Sequence, residues 1–204
     1  MTKRIFIFLI LFFVVNIIVA QRFDGGAIVG FNATQVEGDS YRGFHKPGIA
    51  AGFYVETDLA PAVFAGFEIK FMQKGARKKT TENDPTKYIM RLNYIDLPLY
   101  AAFRANERMS ILGGLSPGFL LSGKEFNEYG EFPPEDQNKF SPFDLQALIG
   151  FQFKMSDNWK TDLRLAYSLI PVRDKPPVEP PYYWLRNQFN FVATLALYYQ
   201  IGRR

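Results

Sequence analysis

Trp159-Lys160-Thr161-Asp162-Leu163-Arg164-Leu165-Ala166-Tyr167-Ser168-Leu169 alternates at every step. Trp159, Thr161, Leu163, Leu165, Tyr167 and Leu169 lie on one face; Lys160, Asp162, Arg164, Ala166 and Ser168 lie on the other. A period of two belongs to a β-strand, whose successive side chains point to opposite sides of the sheet. One face is oily and the other charged, so this strand separates two unlike environments. Phe143 to Phe153 repeats the pattern, with Phe143, Leu145, Ala147, Ile149, Phe151 and Phe153 set against Asp144, Gln146, Leu148, Gly150, Gln152 and Lys154. Near the end of the chain Phe189, Phe191, Ala193, Leu195, Leu197, Tyr199 and Ile201 oppose Asn190, Thr194 and Gln200.

Five further segments complete a set of eight strands: Gly25 to Ala33, Gly48 to Asp58, Ala62 to Gln73, Arg91 to Arg104 and Met109 to Leu121. Their connections alternate in length. Asp58 to Pro61, Ala105 to Arg108 and Ser156 to Asn158 read as tight polar turns. Thr34 to Lys46, Lys74 to Tyr88, Ser122 to Ser141 and Pro171 to Asn187 read as long loops rich in Gly, Pro and charge. Transmembrane barrels combine short turns at one rim with long loops at the other, and their strands alternate apolar outside and polar inside. The expected fold is all-β: a closed antiparallel up-and-down transmembrane β-barrel of eight strands. Aromatics are expected as girdles, with Phe31, Phe71, Phe119, Phe143 and Phe189 near the long-loop rim and Phe103, Phe153, Trp159 and Tyr199 at the other.

The start of the chain has a different character. Lys3 and Arg4 precede an apolar run from Ile5 to Val19, and Ala20 offers a small residue before Gln21, the pattern of a secretory leader. Residues 1–20 are therefore read as a signal peptide cleaved near Ala20/Gln21, and 21–204 as one barrel domain of the outer membrane. Removing Lys3 and Arg4 leaves 22 basic against 20 acidic side chains, a balance of +2, which does not point to nucleic acid. The chain has no cysteine and one histidine, His45, so thiolate metal sites are excluded and no catalytic or cofactor site is expected. Asp39, Ser40 and His45 are close in sequence, but that separation says nothing about triad geometry.

Eight strands close around a lumen that side chains fill. Glu68, Asp96 and Asp162 are expected to pair there with Lys70, Lys154, Lys160 and Arg164, since a buried charge is tolerable only when matched. Two loop features offer contact sites: the basic run Arg77, Lys78, Lys79, suited to anionic lipopolysaccharide, and Tyr182, Tyr183, Trp184, which follow a stiff proline-rich segment. The partners expected are outer-membrane lipid and lipopolysaccharide and another envelope protein.

Several local motifs are similar to those of the PorT family of outer-membrane β-barrel proteins from gram-negative bacteria. These are Val29-Gly30-Phe31-Asn32, Lys46-Pro47-Gly48, Gln73-Lys74-Gly75, Leu92-Asn93-Tyr94-Ile95-Asp96-Leu97-Pro98-Leu99 and Gly118-Phe119-Leu120-Leu121-Ser122. The fourth motif is the most specific; Asp96 points to the lumen, and Pro98, lacking an amide donor, suggests a local bulge or bend. The resemblance implies an eight-stranded barrel without catalytic residues, and, through the family's namesake, a link to type IX secretion and gliding. Two further readings stand beside a structural or interaction barrel: an accessory subunit of such a secretion complex, and a soluble lipocalin-like carrier, whose polarity is the reverse, apolar inside and polar outside.

Overall fold

The computed structural model describes residues 23–39, 41, 43–82, 84–133, 139–174 and 187–201. The leader, and the contact site at Tyr182, Tyr183 and Trp184, lie outside the described residues. The strands are β1 (Phe23–Glu37), β2 (Lys46–Ala60), β3 (Val63–Arg77), β4 (Ile89–Asp96), β5 (Leu99–Arg104), β6 (Met109–Asn127), β7 (Gly130–Glu131), β8 (Phe143–Lys154), β9 (Trp159–Ser168), β10 (Arg173–Asp174) and β11 (Asn187–Gln200). Neighbours pair antiparallel in the order β1, β2, β3, β4, β6, β8, β9, β11, and β11 pairs with β1 from Gly26↔Gln200 to Glu37↔Phe189. The sheet thus closes into a ring. β4 and β5 form one stave, flanked throughout by β3 and β6, so the wall has eight staves; β7 and β10 are short additions at the long-loop end.

The β4/β5 stave breaks at Leu97-Pro98, where Pro98 has no amide to give. Its carbonyl nonetheless accepts from the Glu68 N–H (3.0 Å), and the Leu97 N–H donates to the Pro117 carbonyl (2.7 Å). Asp96, Pro98 and Tyr100 all stay buried, so the inward face is continuous across the break.

Burial alternates around the ring. Val29, Phe31, Phe53, Ile69, Leu99, Ile111, Ile149, Phe151, Leu163 and Leu195 are exposed on the outside, while Glu68, Lys74, Asp144, Asp162 and Arg164 are buried within. This polarity is opposite to that of a soluble carrier. Trp159 and Tyr199 touch at one rim (4.8 Å between ring centres) and Phe119 and Phe143 toward the other (5.5 Å).

The staves run further than the hydropathy pattern suggests. β1 reaches Glu37 rather than Ala33, β3 reaches Arg77 rather than Gln73, and β6 reaches Asn127 rather than Leu121. Past the apolar belt the outward positions turn polar while the inward ones stay buried, Val36, Ala76, Met90 and Leu92 in one cluster, so the oily-out alternation is lost while the hydrogen-bond ladder continues. Gly75 sits in one such extension with φ at +126°, a conformation glycine tolerates and other residues rarely adopt.

Candidate functional site

Inward-facing charges are stacked in tiers along the lumen. Nearest the short-turn mouth, Lys160 pairs with Glu56 (2.5 Å), and the Tyr100 hydroxyl donates to the same carboxylate (3.0 Å). Above it lies the densest tier. Arg164 on β9 gives two parallel bonds to Glu68 on β3 (both 3.1 Å) and two to Asp162 (3.1 and 2.7 Å). The Tyr198 hydroxyl donates to Glu68 (2.8 Å), Lys70 lies 2.7 Å from it, and the guanidinium rests 4.9 Å from the centre of the Tyr100 ring. Gly66 makes room for that ring, which passes 2.2 Å from the place a Cβ would occupy.

The next tier gathers on Lys74. Its ammonium contacts Asp96 (2.8 Å), Asp144 (3.4 Å) and the Gln146 side-chain oxygen (2.9 Å), and lies 4.5 Å from the Tyr94 ring centre. Asn190 donates to Asp144 (3.0 Å). At the long-loop end Arg173 makes a two-pronged pair with Glu125 (3.0 and 2.6 Å) over the Phe140 ring, and the Tyr88 hydroxyl donates to Glu125 as well.

These pairs stand where water would otherwise run. Glu68, Lys74, Asp144 and Tyr198 have 0 % exposure, Asp162 1 % and Arg164 3 %. Side chains beside an open aqueous path remain wettable, so among the described residues these six line no open path at this level. Below it the short-turn mouth opens into a cavity of about 900 Å³ lined by residues that include Asp24, Glu56, Arg104, Arg108 and Lys160.

Of the charges singled out from sequence, Glu68, Lys70, Asp162 and Arg164 share one tier, and Asp96 belongs to the tier above. Lys160 pairs lower down with Glu56, a partner the alternation did not single out. Lys154 stands apart: its side chain is 42 % exposed and pairs with Asp157 in the adjoining turn, because β8 ends there at the open mouth. Lys74, Glu125, Arg173 and the four tyrosines Tyr88, Tyr94, Tyr100 and Tyr198 are not among the charges and partners expected from sequence, and Asp144 is there only as an inward position. Continuing the inward set Lys70, Met72 past the apparent turn at Gln73-Lys74-Gly75 would have reached Lys74.

At the long-loop rim Arg77 and Lys79 are exposed, and with His45, Lys78 and Thr80 they line a cavity of about 260 Å³. Lys78 is already paired with Asp84 (2.5 Å), and its ammonium and the Thr86 hydroxyl hold that carboxyl below its ordinary range. Among the described residues no group of three or more His, Asp or Glu side chains is placed to hold a metal ion.

Comparison with known proteins places this architecture. Sequence comparison with curated proteins returns no match. Among solved structures, Ail, the attachment invasion locus protein of Yersinia pestis, in complex with the heparin analogue sucrose octasulfate, superposes with a TM-score of 0.52 at 15 % identity, covering 88 % of this chain and 99 % of Ail. Neisserial surface protein A superposes with a TM-score of 0.51 at 10 % identity, covering 88 % and 97 %. Both likenesses are of fold. The outer membrane protein beta-barrel domain family matches residues 19–174, three quarters of the chain and seven of its eight staves. With its apolar outer wall and closed ring, the chain belongs to the outer membrane protein beta-barrel domain family.

Proposed function

We propose that this chain is a non-enzymatic outer-membrane barrel with a sealed lumen, exported with cleavage near Ala20/Gln21, whose work is done at its long-loop rim on lipid, lipopolysaccharide and another envelope protein. The observation that carries this reading is the buried Glu68–Arg164–Asp162 tier, which leaves the outside and the rims as the available surfaces. In transmembrane barrels the longer loops face outward, which sets Arg77, Lys78 and Lys79 at the cell surface. That Ail was solved with a polyanion concerns Ail; what supports contact with anions here is this basic rim.

Reconstitution in a planar bilayer tests the sealed lumen. The chain should insert without conductance steps, and sustained single-channel steps would overturn the reading. The narrower PorT-type reading, an accessory secretion subunit, is supported by the Leu92–Leu99 motif, whose Asp96 takes part in the Lys74 tier. Mild detergent extraction separates the two, because a subunit brings the same large partner each time.

A further inference from the structure

We propose that the outer wall of β3, β4 and β6, just below the long loops, is a lateral binding site for the phosphorylated headgroup of an outer-leaflet glycolipid; this rests on the reading of that rim as the outward one. Outward positions in this sector change character over a few residues. Phe71, Ile95 and Phe119 form one cross-strand row, followed toward the loops by Gln73, Asn93 and Ser122, and then by Gly75, Arg91 and Lys124. Successive rows on one face are about 7 Å apart along a strand.

Staves tilt, so cross-strand rows climb around the barrel. The row Phe103, Ile111, Phe151, Leu163, Leu195, Phe31, Ile49 starts at the short-turn end of β5 and finishes at the long-loop end of β2. The same climb raises Lys124 relative to Gly75, and brings Arg77, one outward position beyond Gly75, level with Arg91 and Lys124. Three exposed cations therefore stand side by side above the polar row Gln73, Asn93, Ser122, which itself tops the apolar, aromatic one.

Their placement depends on an irregularity. Asn93 pairs with Ser122 but Tyr94 pairs with Leu120, so Leu121 is an extra residue in β6. Beyond it the sides exchange: Lys124 turns outward beside Arg91, and Glu125 turns inward to meet Arg173. Without this bulge the wall would present the carboxylate and the lumen the ammonium.

Among the described residues, the carboxylates of this sector leave two of the three cations unpaired. Arg91 lies over the Phe126 ring at 5.2 Å, and among the described residues no carboxylate pairs with Arg91 or Arg77. Lys124 pairs with Glu131 at 3.0 Å, but with side chains 50 % and 41 % exposed that pair is held weakly. Behind the wall the ammonium of buried Lys46 donates, among the described residues, to the Pro47 carbonyl (3.4 Å), and its stem packs against Gly75, the cross-strand partner of Arg91. Elsewhere the long-loop ends of the staves turn Phe143, Tyr167, Phe189 and Glu37 outward. An occupant with phosphates above acyl chains matches cations above Phe71, Ile95 and Phe119, and the cavity beside Arg77 gives a second phosphate room.

Wild-type chain, an R77Q/R91Q/K124Q chain and an R108Q/K154Q control at the opposite mouth are refolded into phosphatidylcholine nanodiscs doped with phosphorylated lipid A. Native mass spectrometry then counts the lipid retained, with dephosphorylated lipid A and phosphatidylglycerol as comparison dopants. Removing three cations from beside an anionic headgroup should lower retention by about a hundredfold while the control keeps it. Equal retention by the triple variant, or of dephosphorylated lipid A, overturns the site. Equal retention of phosphatidylglycerol overturns the glycolipid as its occupant. Each sample is also run heated and unheated on a detergent gel; if no chain shows a heat-shifted band the closed barrel itself fails, and the site with it.

Discussion

Arg164 serves two buried carboxylates at once, as Lys74 does in the tier above. Deleting one partner of a buried ionic cluster leaves charge without a counterion, at a cost of about 3–5 kcal/mol, whereas an exposed pair contributes about 1 kcal/mol or less. Arg164→Met should therefore lower the urea midpoint of the refolded barrel far more than Arg104→Met, which releases only exposed partners, the Asp58 carboxylate and the Pro61 carbonyl, and a ring contact with Phe64; similar shifts would count against the tier as a structural unit. Asp39, beyond the end of β1, behaves differently. Burial pushes its carboxyl up to about 7, opposed in part by the hydrogen bond from the Tyr41 N–H (2.9 Å). An unfolded aspartate titrates near ~4, so between about 4 and about 7 the folded rim keeps a proton that the unfolded chain has released, and its stability falls as pH rises through that window. Asp39→Asn should leave protection of the flanking amides nearly unchanged at pH 4 and increase it at pH 8, in exchange rates corrected for intrinsic chemistry. An equal effect at both pH values would remove the carboxyl as the cause.

At the scale of the element, a single added residue decides what β6 shows to lipid. The chain has no cysteine, so single cysteines report sidedness cleanly. Lys124→Cys should react with a maleimide in intact barrels and Glu125→Cys should not; the reverse pattern would place the bulge elsewhere. The same element shows where sequence stops being legible. β8, β9 and β11 could be read directly because each separates an oily from a charged environment residue by residue. Gly118-Phe119-Leu120-Leu121-Ser122-Gly123 has no such contrast, so the shift at Leu121 leaves no trace in hydropathy. Gln73-Lys74-Gly75 resembles a turn, and only the ladder from Gly75↔Arg91 to Arg77↔Ile89 shows that β3 continues. Glu125 and Arg173 were hidden for a related reason: they stand in polar segments above the belt, where nothing in composition separates strand from loop.

For the whole molecule, the inside-out polarity sets the penalties. Ile149, 58 % exposed and paired with Leu165 and Gly113, faces outward midway along β8. Ile149→Arg should destabilise the barrel in lipid by about 2–4 kcal/mol, the range for a cation near the bilayer midplane. Refolding titrations into liposomes measure this, and a neutral outcome would mean that the wall is not lipid-facing there. Closure has a consequence of another kind. The Ile201 N–H donates to the Gly25 carbonyl (2.9 Å), so the first and last staves end side by side at the short-turn rim, joined by a ladder as long as that between β1 and β2. A cylinder of this sort has no seam. Linking Ile201 to Phe23 and opening the chain at any of the long loops would trace the same wall in a different order, so chain order belongs to the history of synthesis rather than to the finished architecture.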